Sequence, residues 1–291
     1  MIGSGFYSFY LEFHYYIFEH YWLQIIYILK INIMDLKIQN ELFLVCGASS
    51  GLGRAVAEAL LQEQASIIAI ARTKEKLHEL KKMNPDQVEY IHGDLYQEKT
   101  MDEIIKLTGH HKISGVFINS GGPPASSFME TTLENWDSAY HQLVRWKIDL
   151  VKRLIPVMEK QGYGRLLFSE SVSVKQPVEN LVLSNAMRMA VVGAAKTLSQ
   201  EIAGSGITVN ILAPGYHETN ALKRLYRKKS ESKGISEAKA REEFIESIPL
   251  GYIGKIEDYA SLAIWLLSPH SSYITGQTFS IDGGIVGHVF G

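Results

Sequence analysis

The chain has 291 residues, a formal net charge of -2 and one cysteine, which bounds it to a single substantial core. So small a net charge sets up no global field for nucleic acid, and no long basic stripe is interleaved with aromatic residues. Cys46 has no partner for a disulfide and no neighbours at metal-ligand spacing, so no metal site is expected, and a reducing, cytoplasmic compartment fits.

Residues 1–33 differ from the rest. Phe6, Tyr7, Phe9, Tyr10, Tyr21 and Trp22 crowd them, while Glu12, His14, Glu19, His20 and Lys30 interrupt the ~20 apolar residues a membrane span needs. A secretory signal fits poorly, for lack of a basic leading region and a small-residue cleavage site. Met34 stands just before the first strand signal, so the segment reads as translated leader ahead of a start at Met34. An interfacial membrane anchor is the competing reading.

From residue 34 to 291 strands and helices alternate. Apolar runs predict strands over Leu42–Cys46, Ser66–Ala71, Val88–His92, Gly115–Asn119, Gly164–Phe168, Thr208–Leu212 and Thr278–Asp282. Between them helical periodicity covers Arg54–Gln64, Thr73–Lys82, Met101–Leu107, Thr132–Gln161, Asn185–Ala203 and Lys255–Leu267. Such alternation needs crossover connections, hence a mainly parallel sheet with helices on both faces. Residues 217–250 break the rhythm with Lys223, Arg224, Arg227, Lys228 and Lys229, then a helical stretch over Ser236–Ile248. Following a strand late in the alternation, this insertion reads as a lid. Its basic cluster is a solvated face or, at Lys228 and Lys229, a contact for phosphate on a carrier-linked substrate.

Gly47, Ser49, Ser50, Gly51, Leu52 and Gly53 form a turn that follows a strand and opens a helix. In that context glycines allow close backbone approach, and the free N–H groups of the helix receive a pyrophosphate. The fold class is therefore α/β, a doubly wound parallel sheet of Rossmann type in a single domain. At the end of the second strand, where an acidic residue would hold a ribose, Ala71 is followed by Arg72. A guanidinium suits a 2′-phosphate, so NADP is expected, with NAD less favoured.

The spacing G-x-x-x-G-x-G resembles the short-chain dehydrogenase/reductase family, and further landmarks follow in order from Leu36 to the C-terminus. Gly93, Asp94 and Leu95 are similar to its adenine pocket, and Asn119 to Gly122, with Gly121, to its cofactor floor. Asn210, Pro214, Gly215 and Thr219 are similar to the segment along the nicotinamide, and Tyr273–Gly276 and Asp282–Gly284 to C-terminal landmarks. The resemblance implies a homotetramer or homodimer packed through the long helices, and a small carbonyl or alcohol substrate.

The family's proton relay uses a Ser, a Tyr and a Lys four residues after it. Ser171 matches the serine, with Ser169 and Ser173 as neighbouring registers, but Ser184 and Arg188 fall where Tyr and Lys belong. A relay Asn expected near Gln142 or Leu143 is also absent. An aliphatic hydroxyl is a far weaker acid than a phenol, and a guanidinium does not deprotonate. Arg188 can still hold the cofactor ribose and stabilise negative charge. Glu170, Lys175, Glu179, Tyr216 and His217 are candidate substitutes, or else loop charges and packing residues. A branch of the family labelled like 3-oxoacyl-carrier-protein reductases resembles this chain at Asn119–Pro124 and Leu183–Arg188, which implies an oxoacyl substrate. The expectation is an NADP(H)-dependent oxidoreductase with a non-standard proton path, against a cofactor-binding but catalytically silent or regulatory member.

Overall fold

A computed structural model describes residues 34–109 and 111–289. The leader-or-anchor reading of residues 1–33 lies outside the described residues. The chain divides into Met1–Leu36 and Lys37–Gly291, and every element below belongs to the second unit.

Seven strands, β1 (Leu42–Cys46), β2 (Ser66–Ala71), β3 (Val88–His92), β4 (Gly115–Asn119), β5 (Gly164–Ser169), β6 (Ile207–Pro214) and β7 (Thr278–Ile281), form one sheet in the order β3-β2-β1-β4-β5-β6-β7. All pairings are parallel, with Leu44 opposite Ile68 on one side and Val116 on the other. Strands covered on both faces must be apolar along their buried length, as β1 (LFLVC) and, after Ser66, β2 (SIIAIA) are.

The crossovers are α1 (Gly51–Gln62), α2 (Lys74–Met83), α3 (Glu98–Thr108), α4 (Leu133–Tyr140), α5 (Trp146–Gln161), α6 (Val182–Glu201), α7 (Asn220–Lys233), α8 (Glu237–Glu246) and α9 (Ile256–Leu267). Alternate side chains of each strand point to opposite faces. Leu44, Cys46, Ile68 and Ile70 pack with Met101 and Ile104 of α3, Leu150 and Leu154 of α5 and Val191 of α6. On the other face α9 packs on α1, and Tyr259 meets Phe117 edge-on at 6.3 Å.

Two stretches depart from expectation by more than a displaced helix end. The stretch predicted as one helix over Thr132–Gln161 begins with a capping box between Thr132 and Asn135, then is broken by a π-helical turn at His141–Arg145. A π turn carries one extra residue, which sequence periodicity does not reveal. Leu143, Val144, Trp146 and Lys147 all turn inward around it. The 217–250 insertion forms α7 and α8, capped by the Thr219 and Ser236 hydroxyls, around a separate cluster of Leu222, Tyr226, Ala240, Ile248 and Ile253.

In this order β2 and β3 are added to one side of β1 and β4 to β7 to the other, and such a switch point opens a crevice at the carboxyl ends of the strands. No helix among the described residues is long and apolar enough to cross a membrane.

Candidate cofactor and active site

The turn after β1 is built for close backbone approach. Gly47 sits at φ 72°, where a Cβ would stand 2.8 Å from Asn119 Nδ2 at the end of β4. At Gly53 a Cβ would come within 2.3 Å of the Gly47 carbonyl oxygen. The Ser50 side chain makes no cap bond, and the first turn of α1 holds no acidic residue, so its N–H groups and positive dipole end are open to an anion. These features fit a dinucleotide pyrophosphate.

A cavity of about 830 Å³ runs from this turn across the switch point. Gly47, Ser49, Ser50, Gly51 and Leu52 line it, but Gly53 does not. Gly53 lies against the Gly47 carbonyl, where the missing Cβ lets α1 pack close to the turn. Arg72 and Asp94 with Leu95 line the outer end, Asn119 and Gly121 the floor, and Pro214, Gly215 and Thr219 the opposite wall. The Arg72 guanidinium is exposed and has no hydrogen-bond or ion-pair partner among the described residues, so it is available to a phosphate. Asp94 Oδ1 accepts from the Tyr96 amide at 3.2 Å, which fixes that turn. Asn210 is elsewhere: buried, it donates to the Ile274 carbonyl and accepts from the Gln277 amide, tying β6 to the approach of β7.

At the inner end Ser171, Ser184 and Arg188 all line the cavity. Ser171 Oγ accepts from the Ser173 amide at 3.1 Å, which leaves its hydroxyl proton free to donate. Arg188 lies one turn after Ser184 on α6, and its Nε donates to Ser184 Oγ at 3.0 Å. Its Nη1 donates to Glu170 Oε2 at 3.0 Å and to the Ser169 carbonyl at 3.5 Å. The loop after β4 closes over it: a Cβ on Gly122 would meet Arg188 Nη2 at 3.6 Å.

Glu170 is the largest departure from expectation. Its side chain is fully buried, accepting at Oε1 from Lys147 Nζ at 2.6 Å and at Oε2 from Arg188. Lys147 was not legible as a site residue, although its position carried a signal. It falls on the stripe of Leu143, Leu150 and Leu154, where an unpaired ammonium would be prohibitively costly. Burial pulls the Lys147 ammonium below its ordinary range, and the Glu170 charge opposes that. Gln142 instead bonds Ser138 on the exposed side, and Leu143 is core.

The remaining candidates separate. Ser169 lines the cavity, but its hydroxyl accepts from Tyr259 at 2.8 Å, and Ser173, Lys175 and Glu179 do not line it. Tyr216 lines it and stacks edge-on with Phe244 at 4.8 Å, while burial pushes its phenol above the usual range. His217 packs edge-on against Tyr259 at 5.6 Å, and burial pushes its imidazole down, towards the neutral form. Lys229 is held by Glu243 at 2.8 Å and lies over the Phe244 ring, whereas Lys228 lines the cavity. Cys46 is buried and its thiol is pushed up to about 12, so it is inert. Among the described residues no group of three or more His, Cys, Asp or Glu could hold a metal ion.

A parallel sheet with a glycine cradle at its switch point and a serine-lined pocket beside it defines a dinucleotide-binding fold. The family model described as enoyl-(acyl carrier protein) reductase matches residues 47–286, and the chain belongs to the short-chain dehydrogenase/reductase family. It is 31% identical over 248 residues to the NADPH-dependent reductase BacG of Bacillus subtilis, covering 82% of this chain and 95% of that one. It is 30% identical over 256 residues to the 3-oxoacyl-acyl-carrier-protein reductase FabG of Thermotoga maritima, covering 86% and 100%. The crystal structure of YwfH, an NADPH-dependent reductase involved in bacilysin biosynthesis, matches with a TM-score of 0.81 at 27% identity, covering 86% and 100%.

Proposed function

We propose that the chain is an NADPH-dependent reductase of a carbonyl group, an oxoacyl compound among the candidates, in which Ser184 and Arg188 stand where the family keeps its Tyr and Lys. The relatives named above are NADPH-dependent or oxoacyl reductases, and Arg72 lines the cavity, where it would meet a 2′-phosphate. Residues Gly47 to Leu52 would hold the pyrophosphate, Asp94 and Leu95 the adenine, and Arg188 the nicotinamide ribose. When bound, the cofactor supplies a hydride.

The observation that carries the reading is the Arg188 Nε to Ser184 Oγ hydrogen bond at the inner end of the cavity. Ser184 accepts that proton and so keeps its own O–H to donate, as Ser171 does. Two hydroxyls and a fixed positive charge can therefore meet a carbonyl oxygen that becomes negative. Arg188 lowers the cost of removing the Ser184 proton without titrating itself. That proton goes to the oxygen and is replaced from solvent. The Glu170 carboxylate, itself paired with Lys147, holds the guanidinium in place.

An NADPH-oxidation screen over aldehydes, ketones and oxoacyl thioesters, run beside direct cofactor binding, tests this. Turnover that falls in Ser184→Ala while NADPH affinity stays supports it; binding without turnover of any carbonyl rejects it. One observation favours the second reading, a cofactor-binding but catalytically silent or regulatory member: Tyr96 and Tyr216, the phenols lining the cavity, are both made less acidic by burial. Restoring Tyr and Lys separates the two, because a large gain in Ser184→Tyr with Arg188→Lys would mark the natural chain as disabled.

The assembly proposed is a homodimer or homotetramer, supported by exposed Leu133 and Tyr140 on α4, Ile148 on α5 and Met189 on α6. The α7–α8 pair is proposed as a lid, and the cytoplasm as its location.

A further inference from the structure

The α7–α8 pair is rich in cations, and most are neutralised within it. Arg227 pairs with Glu237, Lys229 and Lys233 with Glu243, Lys239 with Glu242, and Arg241 with Glu218. Lys223, Arg224 and Lys228 have no carboxylate ion-pair partner among the described residues, and of these three Arg224 and Lys228, one turn apart on α7, line the cavity. Lys228 Nζ donates to the Ala125 carbonyl, bridging α7 to the loop that continues from Gly121 and Gly122. Glu130 is near enough to feel the Lys228 charge, but its Oε2 accepts from the Ser127 amide and hydroxyl at 2.8 Å, and it does not line the cavity.

The cofactor's phosphates do not account for both cations. Thr219, the cap of α7, lies against Gly51 in the pyrophosphate cradle. Helical rise puts Lys228 roughly 13 Å further along the axis. The acid at that inner end is Glu170, whose two oxygens are already taken by Lys147 and Arg188. A cleft lined by one sign of charge selects ligands of the other.

Resting on the reductase reading above, we propose that the substrate is an anion, carrying a carboxylate or phosphate that Arg224 and Lys228 receive while its carbonyl faces Ser171 and Ser184. Both cations are exposed, so solvent compensates them in the empty cleft, and a neutral ketone or sugar would gain nothing from displacing it.

The test is binding to the full chain loaded with NADP, read by calorimetry so that it does not depend on turnover. The probes are levulinate and longer straight-chain oxo acids against their methyl esters, and an oxobutanoyl phosphopantetheine against its dephosphorylated pantetheine thioester. The charged member of at least one pair is expected to bind at least about tenfold tighter, and the pair showing the larger ratio identifies carboxylate or phosphate. Lys228→Met and Arg224→Gln are expected to bring that ratio to within about twofold, and Lys228→Arg to keep it. Equal binding within every pair, an undiminished ratio in both neutral variants, or variants that lose NADPH affinity in place of the ratio would overturn the proposal. Failure of the reductase reading shows separately, as absence of NADPH oxidation with every carbonyl.

Discussion

Lys147 Nζ lies 2.6 Å from Glu170 Oε1 with both side chains withdrawn from solvent, and the other Glu170 oxygen holds Arg188. Two cations share one carboxylate at the inner end of the cavity. Removing one member of a buried ionic group costs more than the group itself contributes, because the partner is left uncompensated.

Lys147→Met is accordingly expected to destabilise the chain by about 3 kcal/mol, lowering Tm by roughly 6–12 °C. Glu170→Gln is expected to cost more, since it leaves Lys147 and Arg188 without their counter-charge. Thermal unfolding of both variants checks the order.

Arg188→Lys keeps the charge but loses the fork that reaches Ser184, Glu170 and the Ser169 carbonyl together. Carbonyl reduction is expected to fall by about 10–100-fold in kcat, with NADPH affinity reduced far less. Steady-state kinetics beside a cofactor titration reads both quantities.

Arg72→Ala is expected to weaken NADPH binding by about tenfold or more and to leave NADH nearly unchanged, because only NADPH carries the phosphate that Arg72 would meet. Dissociation constants for the two cofactors, measured in wild type and variant, settle it.

Stability should also report His217. Its folded-state value is depressed below 6.5 by burial, so the unfolded chain binds a proton that the folded chain refuses. The contribution of the neutral imidazole is fully present above 6.5 and is lost as pH falls through the folded-state value. His217→Gln is expected to flatten the fall in Tm on the acid side; an unchanged pH profile would count against a buried neutral imidazole.

The sheet and the cradle were legible because their signals are local. Wholly apolar strands and glycines beside a strand end state their own environment, and Arg72 needs only its place after β2 to suggest its partner. What was missed depends on contacts between distant elements. Glu170, in the loop after β5, reads as a solvated charge until Lys147 arrives from α5. Lys147 follows directly after a π turn at His141–Arg145, and the apolar stripe it shares with Leu150 and Leu154 says that it is buried but not which carboxylate it meets. Asn210 matched a site segment by order, yet its amide is spent on the chain before β7. Lys228 and Lys229 looked equivalent, and only the fold shows that Glu243 claims the second.

The most direct measurement is NADPH oxidation by wild type and Ser184→Ala with a carbonyl substrate, alongside NADPH affinity. Turnover by the wild type, a fall of about tenfold or more in kcat for the variant and unchanged affinity are expected. Tight NADPH binding with no turnover of any carbonyl, or a variant as fast as the wild type, would contradict a reductase that works through Ser184 and Arg188.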